Sequence, residues 1–163
     1  MADDITTGTA PASDQNAQEL LLQNIYIKDS SFEAPTGPNI QVTEWNPQFN
    51  LNMNTSAATM AETLHEVVLT ITLEAKVADK VAYLVEVKQG GLFMIRGYSD
   101  DETRRVVGAF CPGVLFPYAR QAVSDLILRG GFPPFLLPPV NFDGLFQQSL
   151  EQAARQAAQP AVN

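Results

Sequence analysis

The chain has 163 residues, of which 45% are hydrophobic and 17% charged, and its formal net charge is −8. This length suits one domain with a real core, while the acidic balance argues against nucleic-acid binding, which needs clustered Lys and Arg. No apolar run approaches the ~20 residues that span a bilayer, so direct membrane insertion is not expected. A single cysteine excludes an internal disulfide framework and fits a reducing, cytoplasmic compartment.

Composition divides the chain into three parts. Residues 1–19 are small, polar and acidic, and we expect a disordered extension that lacks the basic and apolar regions of a signal peptide. A folded domain is predicted over residues 20–157. A flexible C-terminal tail is predicted over residues 158–163.

Alternation of apolar and polar residues predicts four strands. Their predicted limits are residues 25–33, 49–54, 62–76 and 81–96. Residues 55–60 are polar and are predicted to connect the second strand to the third. Gly90 and Gly91 lie inside the fourth strand, where such a pair indicates a bulge or bend.

Three helices are predicted after the strands. Ser99 and Glu102 have the spacing of a capping box, so a short helix should follow and end near Ala109. A second helix is predicted over residues 114–129, and a third is capped by Asn141 and ended by Pro160. Because no strand–helix–strand unit is visible, the order predicts an α+β domain with a four-stranded antiparallel sheet and helices on one side.

The segment 132–140 has four prolines among nine residues, and the other five are Phe, Leu or Val. Proline excludes a helix and stiffens the backbone. Such an apolar loop either folds over the core as a lid or forms one wall of a site for apolar ligands. Trp45, in an earlier loop, is likewise either a packed anchor or a ligand contact.

Residues that could form a catalytic site are hard to find in this sequence. A Cys–His site needs a thiolate beside a base, but Cys111 lies between Phe110 and Pro112, in an apolar setting that raises the pKa of a thiol. His65 is expected at a strand end, and one His with one Cys cannot close a zinc site. The sequence therefore favours a binding protein over an enzyme, without catalytic residues, cofactor or metal.

Acidic residues are concentrated on two of the predicted strands. Asp29 and Glu33 share one face of the first strand, and Leu84 and Glu86 share one face of the fourth. An acidic sheet face is either simply solvated or a docking surface for a basic partner. The sequence does not require the first and fourth strands to be neighbours.

Five segments occur in order between Leu21 and Leu150: NIYIKDSSFEAP, EVKQGGLFMI, AFCPGVLFPYAR, RGGFP and PVNFDGLF. Together they resemble the SecB protein-export chaperones. The resemblance implies a cytoplasmic homotetramer, a dimer of dimers, that binds unfolded precursor proteins without ATP. It further implies that the chaperone keeps them translocation-competent and delivers them to the SecA motor.

The resemblance also implies roles for individual residues. Those that match SecA-contacting positions are Asp29, Glu33, Leu84 and Glu86. Those in segments that build the client groove are Trp45, Phe132, Phe135, Leu137 and Phe146. Those at positions linked to tetramer assembly are Val85, Val87 and Gln89. The nearly neutral C-terminal segment differs from the acidic tail that many family members have.

Two other classes of protein stay open at this stage. An enzyme would need a contact between Cys111 and His65 of different subunits. A small-molecule or peptide carrier would use the apolar segment 132–146 as a closed pocket, whereas an open groove would exclude that reading.

Overall fold

A computed structural model describes residues 17–37, 39 and 45–158. The predicted N-terminal extension and C-terminal tail lie outside the described residues, apart from Ala17 to Glu19 and Ala158. Pro160, the predicted end of the last helix, also lies outside them. The proposed domain boundaries therefore stay predictions.

Four antiparallel strands form one sheet in the order β1-β4-β3-β2. Their limits are Glu19–Glu33 for β1, Gln48–Ala61 for β2, Leu64–Val77 for β3 and Lys80–Arg96 for β4. Strands β3 and β4 are joined by a two-residue turn in which Ala78 and Asp79 both have positive φ. The chain crosses from one edge of the sheet to the other between β1 and β2, which makes β1 a neighbour of β4.

The prediction of a connection over residues 55–60 is wrong, because β2 continues through them. Thr55 pairs with Leu69, and Thr59 pairs with His65 on β3. The long apolar strand β3 supplies a template for these residues, and threonine suits a pleated surface. Pairing with β3 therefore determines the strand conformation of residues 55–60, whose own sequence pattern does not favour a strand.

Of the bulge or bend predicted at Gly90 and Gly91, the bulge is wrong, since β4 keeps its register with both neighbouring strands there. The bend stays a prediction. Where β4 pairs with β1, the register shifts lie in β1, between Leu22 and Asn24 and between Ile27 and Asp29. The two glycines instead allow neighbouring side chains to pack directly on the backbone of β4. A Cβ on Gly91 would be 2.8 Å from Cδ2 of Leu115 in the helix above.

The predicted helix starts at Ser99 and Asn141 are confirmed. The Ser99 side chain accepts from the Glu102 amide while the Glu102 side chain accepts from the Ser99 amide, and helix α1 (Asp100–Arg105) follows. The amide of Gly144 donates to Oδ1 of Asn141 over 3.0 Å, at the start of helix α3 (Phe142–Ala158).

The predicted break between the first two helices is wrong. A π-helical turn, Val106–Phe110, joins α1 to helix α2 (Cys111–Arg129) without interruption. The amide of Cys111 donates to the carbonyl of Val106, five residues earlier. This wider turn precedes Pro112, which has no N–H to donate, so the chain passes the proline while staying helical.

The core lies between α2 and one face of the sheet, which we call the inner face. The fully buried side chains of this core include Leu69, Ile71, Leu73, Val85, Val87, Leu115, Val123 and Ile127. All helices pack on this side, so the predicted α+β architecture is confirmed. Among the described residues, none of the helices is long and apolar enough to cross a membrane.

Candidate functional site

The outer face of the sheet brings the predicted acidic residues together. Strand pairing sets Glu33 opposite Leu84, Ser31 opposite Glu86 and Asp29 opposite Lys88. Directly opposed residues point to the same face of a sheet. Asp29, Glu33, Leu84 and Glu86 therefore form one surface, the acidic patch, within a single protomer.

A bulge in β1 makes this arrangement possible. Tyr26 faces outward and Phe32 faces inward, although both have even numbers, so one residue must be inserted between them. Lys28 is that residue, because Ile27 pairs with Gln89 and Asp29 pairs with Lys88. Without the insertion, the orientation that keeps Phe32 in the core could not keep Tyr26 outside.

The bulge is held by a polar contact across the outer face. The Tyr26 hydroxyl donates a hydrogen bond to Oε1 of Glu66 on β3, and Nζ of Lys28 lies 2.7 Å from Oε2 of the same carboxylate. Burial, reinforced by the hydrogen bond to Glu66, raises the pKa of Tyr26 to about 12. The hydrogen bond from Lys28 lowers the pKa of Glu66 from its usual value.

Glu86 is the central acid of the patch. Its Oε2 accepts a hydrogen bond from the Thr72 hydroxyl at 3.1 Å, and its Oε1 lies 3.5 Å from Nζ of Lys88. With both partners in place, the Glu86 side chain is still 34% exposed. The patch can thus present negative charge around the apolar side chain of Leu84.

On the inner face, β2 extends beyond the cover provided by α2. Phe49 and Leu51 pair with the fully buried residues Ala75 and Leu73, yet their own exposures are 41% and 36%. The Phe49 ring lies 4.2 Å, centroid to centroid, from that of Phe135 in the proline-rich segment. Leu136 beside it is 62% exposed.

A cavity of about 450 Å³ continues this apolar strip between β2 and α3. Residues 53–57 form one wall, and Leu145, Phe146 and Ser149 form another. The Phe146 ring packs on Gly108 in the π-helical turn, where a Cβ would be 2.6 Å from Cδ2 of the ring. We call the strip and the cavity together the apolar groove.

The structure divides the five residues expected in a client groove. Phe135 and Phe146 are partly exposed and border the apolar groove. Phe132 and Leu137 are only 3% and 1% exposed, so the structure places these two side chains in the core of the protomer. Trp45 is partly buried, with its ring 5.8 Å from that of Phe132, as a packed anchor would be.

The proline-rich segment 132–140 was expected to be either a lid over the core or one wall of an apolar site. It covers the core with Phe132 and Leu137 and also borders the apolar groove with Phe135. Sequence reasoning missed Phe49, Leu51 and Leu145 as groove residues. The alternating pattern of β2 identifies an apolar face. It cannot tell that α2 stops short of covering that face.

The residues linked to tetramer assembly lie inside the protomer. Val85 and Val87 are fully buried beneath the helices, and Nε2 of the buried Gln89 donates to the Tyr26 carbonyl over 2.8 Å. The two valine side chains face the helices of their own protomer, which the resemblance alone did not indicate. Any part that they have in assembly, which stays a prediction, would act through the protomer core.

The residues weighed for catalysis do not form a reactive set. Cys111 is completely buried, and burial raises the pKa of its thiol to about 12. His65 lies at a strand end, with Nδ1 3.5 Å from the Thr59 hydroxyl. Within the described part of the chain, no group of three or more His, Cys, Asp or Glu side chains could hold a metal ion.

An open apolar groove on one face of a sheet and an acidic patch on the other define a protein that binds other polypeptides. Comparison with known families agrees, because the model for "Preprotein translocase subunit SecB" matches residues 13–153. The chain belongs to the SecB family. That family consists of chaperones rather than enzymes, and its members take part in protein export.

Relatives match along nearly their full length. The protein-export protein SecB of Nitrosococcus oceani is 47% identical over 160 residues, which cover 97% of this chain and 96% of the relative. That of Ectopseudomonas mendocina is 45% identical over 163 residues and covers 100% of both chains.

A solved structure shows the same fold. It is a Mycobacterium tuberculosis SecB-like chaperone in complex with a ChAD peptide from the HigA1 antitoxin. The match has a TM-score of 0.63 at 16% identity and covers 74% of this chain and 90% of that one.

Proposed function

We propose that this export chaperone works in the cytoplasm without ATP, binds unfolded precursor proteins in the apolar groove and delivers them to SecA. The observation that carries the proposal is the exposure of Phe49, Leu51 and Leu136 along one open strip. Contiguous exposed apolar surface typically marks an interaction site. An open strip suits a long chain better than the closed pocket of a small-molecule carrier.

The chemistry of the groove suits an unfolded client rather than a folded one. Unfolded chains expose the aromatic and aliphatic side chains that folded proteins bury. Phe49, Leu51 and Met53 alternate along β2 and span roughly 13 Å, which matches the spacing of alternate side chains in an extended client. Apolar contacts of this kind supply affinity with little sequence specificity, and they require no nucleotide.

Assembly as a homotetramer, a dimer of dimers, is part of the proposal. The strip of one protomer is short compared with a precursor chain, and association alone costs about 4–15 kcal/mol. Grooves from several protomers would raise the effective concentration of each further contact with the same client. Binding of long clients should therefore exceed binding of short peptides.

Delivery would use the acidic patch. Asp29, Glu33 and Glu86 surround Leu84 on the face opposite the groove, so a client and a motor could be bound at the same time. Complementary charge favours a basic region of SecA. Leu84 would add an apolar contact at the centre of the interface.

Client binding is tested with one protein in its unfolded and native forms. Phe49→Ala and Phe135→Ala should each weaken binding of the unfolded form severalfold, because contact area is lost from the groove. Leu128→Ala, which removes an exposed leucine from α2, is the matched control and should have no effect. Circular dichroism verifies the fold of each variant. Equal binding of native and unfolded protein would refute the proposal.

A further inference from the structure

A lysine lies inside the acidic patch. Lys88 follows Glu86 by two residues on β4, so the two side chains point to the same outer face of the sheet. The Nζ atom of Lys88 lies 3.5 Å from Oε1 of Glu86, and strand pairing places Lys88 directly opposite Asp29 on β1. A cation of the protein itself therefore stands between two acids of the surface proposed to bind a basic partner.

The ion pair between Lys88 and Glu86 does not join separate elements of the fold. Both residues belong to one strand, and their side chains are 41% and 34% exposed. The ion pair between Lys28 and Glu66, in contrast, joins β1 to β3. Because a half-exposed pair between neighbours on one strand contributes little to stability, it opens easily when another cation competes for the carboxylate.

The acids of the patch differ in whether they already have a cation beside them. Among the described residues, Asp29 and Glu33 make no ion pair, whereas Glu86 is paired with Lys88. A basic partner therefore meets two free carboxylates on β1. On β4 it must compete with Lys88 for the carboxylate of Glu86.

We propose that Lys88 is an internal counter-ion that limits how strongly the acidic patch binds its basic partner. On docking, a basic side chain of SecA would take the place of Lys88 beside Glu86, and the lysine would turn towards solvent. This inference rests on the proposed delivery to SecA and adds the residue that sets its affinity. Docking is weakened because the Lys88–Glu86 pair must open and because the charge of Lys88 repels the incoming cation.

Lys88→Gln tests the proposal, because it removes the cation and keeps a long polar side chain. In titration calorimetry the variant should bind purified SecA at least about threefold more tightly than the wild type, since no ion pair has to open and one repulsion is lost. Arg155→Gln is the matched control, because it removes one positive charge from an exposed ion pair on α3. It should leave SecA affinity unchanged. Both variants should keep the wild-type melting temperature and client affinity.

A double variant separates displacement of Lys88 from a general effect of charge. Glu86→Gln removes the carboxylate for which the two cations compete, so the gain from Lys88→Gln should be at least about twofold smaller in its presence. An equal gain in both backgrounds would overturn displacement, because it would show that Lys88 acts only by long-range repulsion.

Two further outcomes distinguish this inference from the proposed function. If Glu86→Gln weakens SecA binding but Lys88→Gln does not strengthen it, the role of Lys88 is refuted and the delivery surface stands. If SecA binds neither the wild type nor any variant, or binds Glu86→Gln and Glu86→Lys as it binds the wild type, the proposed delivery surface itself is refuted.

Discussion

The ring of Tyr26 lies directly on the backbone of Gly90, so that a Cβ at residue 90 would be 2.6 Å from Cε2 of the ring. The glycine lets the tyrosine cross β4 and reach Glu66 on β3. Three strands are thereby tied together on the outer face, next to the bulge at Lys28. The geometry of the acidic patch depends on this contact, because the bulge determines which β1 residues face outward.

Gly90→Ala should therefore lower the free energy of unfolding by about 1–2 kcal/mol, although alanine suits a strand better than glycine. The new methyl group displaces the Tyr26 ring and breaks its hydrogen bond to Glu66. Urea denaturation measures the change. In a Tyr26→Ala background the same substitution should cost nothing, and an equal cost in both backgrounds would contradict the explanation.

Deletion of Lys28 should destabilise the protein by more than about 3 kcal/mol. Removing the inserted residue shifts the face of every β1 residue on one side of it, so either Phe32 leaves the core or Tyr26 loses its place. The Phe32 ring lies 5.8 Å from that of Tyr83 and 6.1 Å from that of Phe132, which shows what would be lost.

The matched control is Lys28→Ala, which keeps the residue count and loses only the ion pair of a half-exposed lysine with Glu66. It should cost less than about 1 kcal/mol. Thermal unfolding of both variants decides the point. Similar stability of the deletion and the substitution would mean that the bulge does not set the orientation of β1.

Val87→Asp should unfold the protomer rather than separate folded subunits, because it places an unpaired charge in the core. Val87→Ala should lower the free energy of unfolding by about 2 kcal/mol through loss of buried methyl groups. Glu86→Gln, one residue away on the outer face, should change it by less than about 0.5 kcal/mol. A folded, dimeric Val87→Asp variant would contradict the location assigned to this side chain.

Stability should decline as pH rises above about 9, where the free Cys111 thiol ionises. Because burial raises its pKa to about 12, the folded state retains a proton that the unfolded state releases. The free energy of unfolding should then fall by at most about 1.4 kcal/mol per pH unit between the two values. Cys111→Ala should show a shallower decline between pH 9 and 10, where Tyr26 and Tyr83, with a usual pKa of 10, each contribute less than the thiol. Identical slopes would show that the thiol is not buried in solution.

Local patterns in the sequence predicted the helix starts and the side-chain alternation of the strands well. Ser99 and Asn141 cap their helices through contacts three residues apart, which a linear sequence displays directly. The shared face of Asp29 and Glu86 could not be deduced in this way, because it depends on β1 crossing to pair with β4. The sequence also did not predict that α1 and α2 form one continuous helical segment through Pro112. The π-helical turn that allows this continuity has no local sequence signature.

Burial separated residues that composition had grouped together. Phe132 and Phe135 lie in one proline-rich segment and look equivalent in sequence, yet one packs in the core and the other borders the groove. Only the position of the segment over the sheet distinguishes them. The family resemblance could not distinguish Phe132 from Phe135 either, because it identifies segments of the chain and not the side chains that face solvent.

In the proposed function, one face of the sheet binds clients and the other face binds SecA for delivery. Titration calorimetry of Glu86→Lys with purified SecA and with an unfolded client tests it most directly, with Glu151→Lys on α3 as the control for an exposed acid elsewhere. We expect Glu86→Lys to weaken SecA binding at least about tenfold and to leave client affinity unchanged. The wild-type interaction with SecA should also weaken with salt, since exposed charges are screened beyond ~10 Å at 0.1 M. Equal loss for both ligands, or for neither, would contradict the existence of a separate delivery surface.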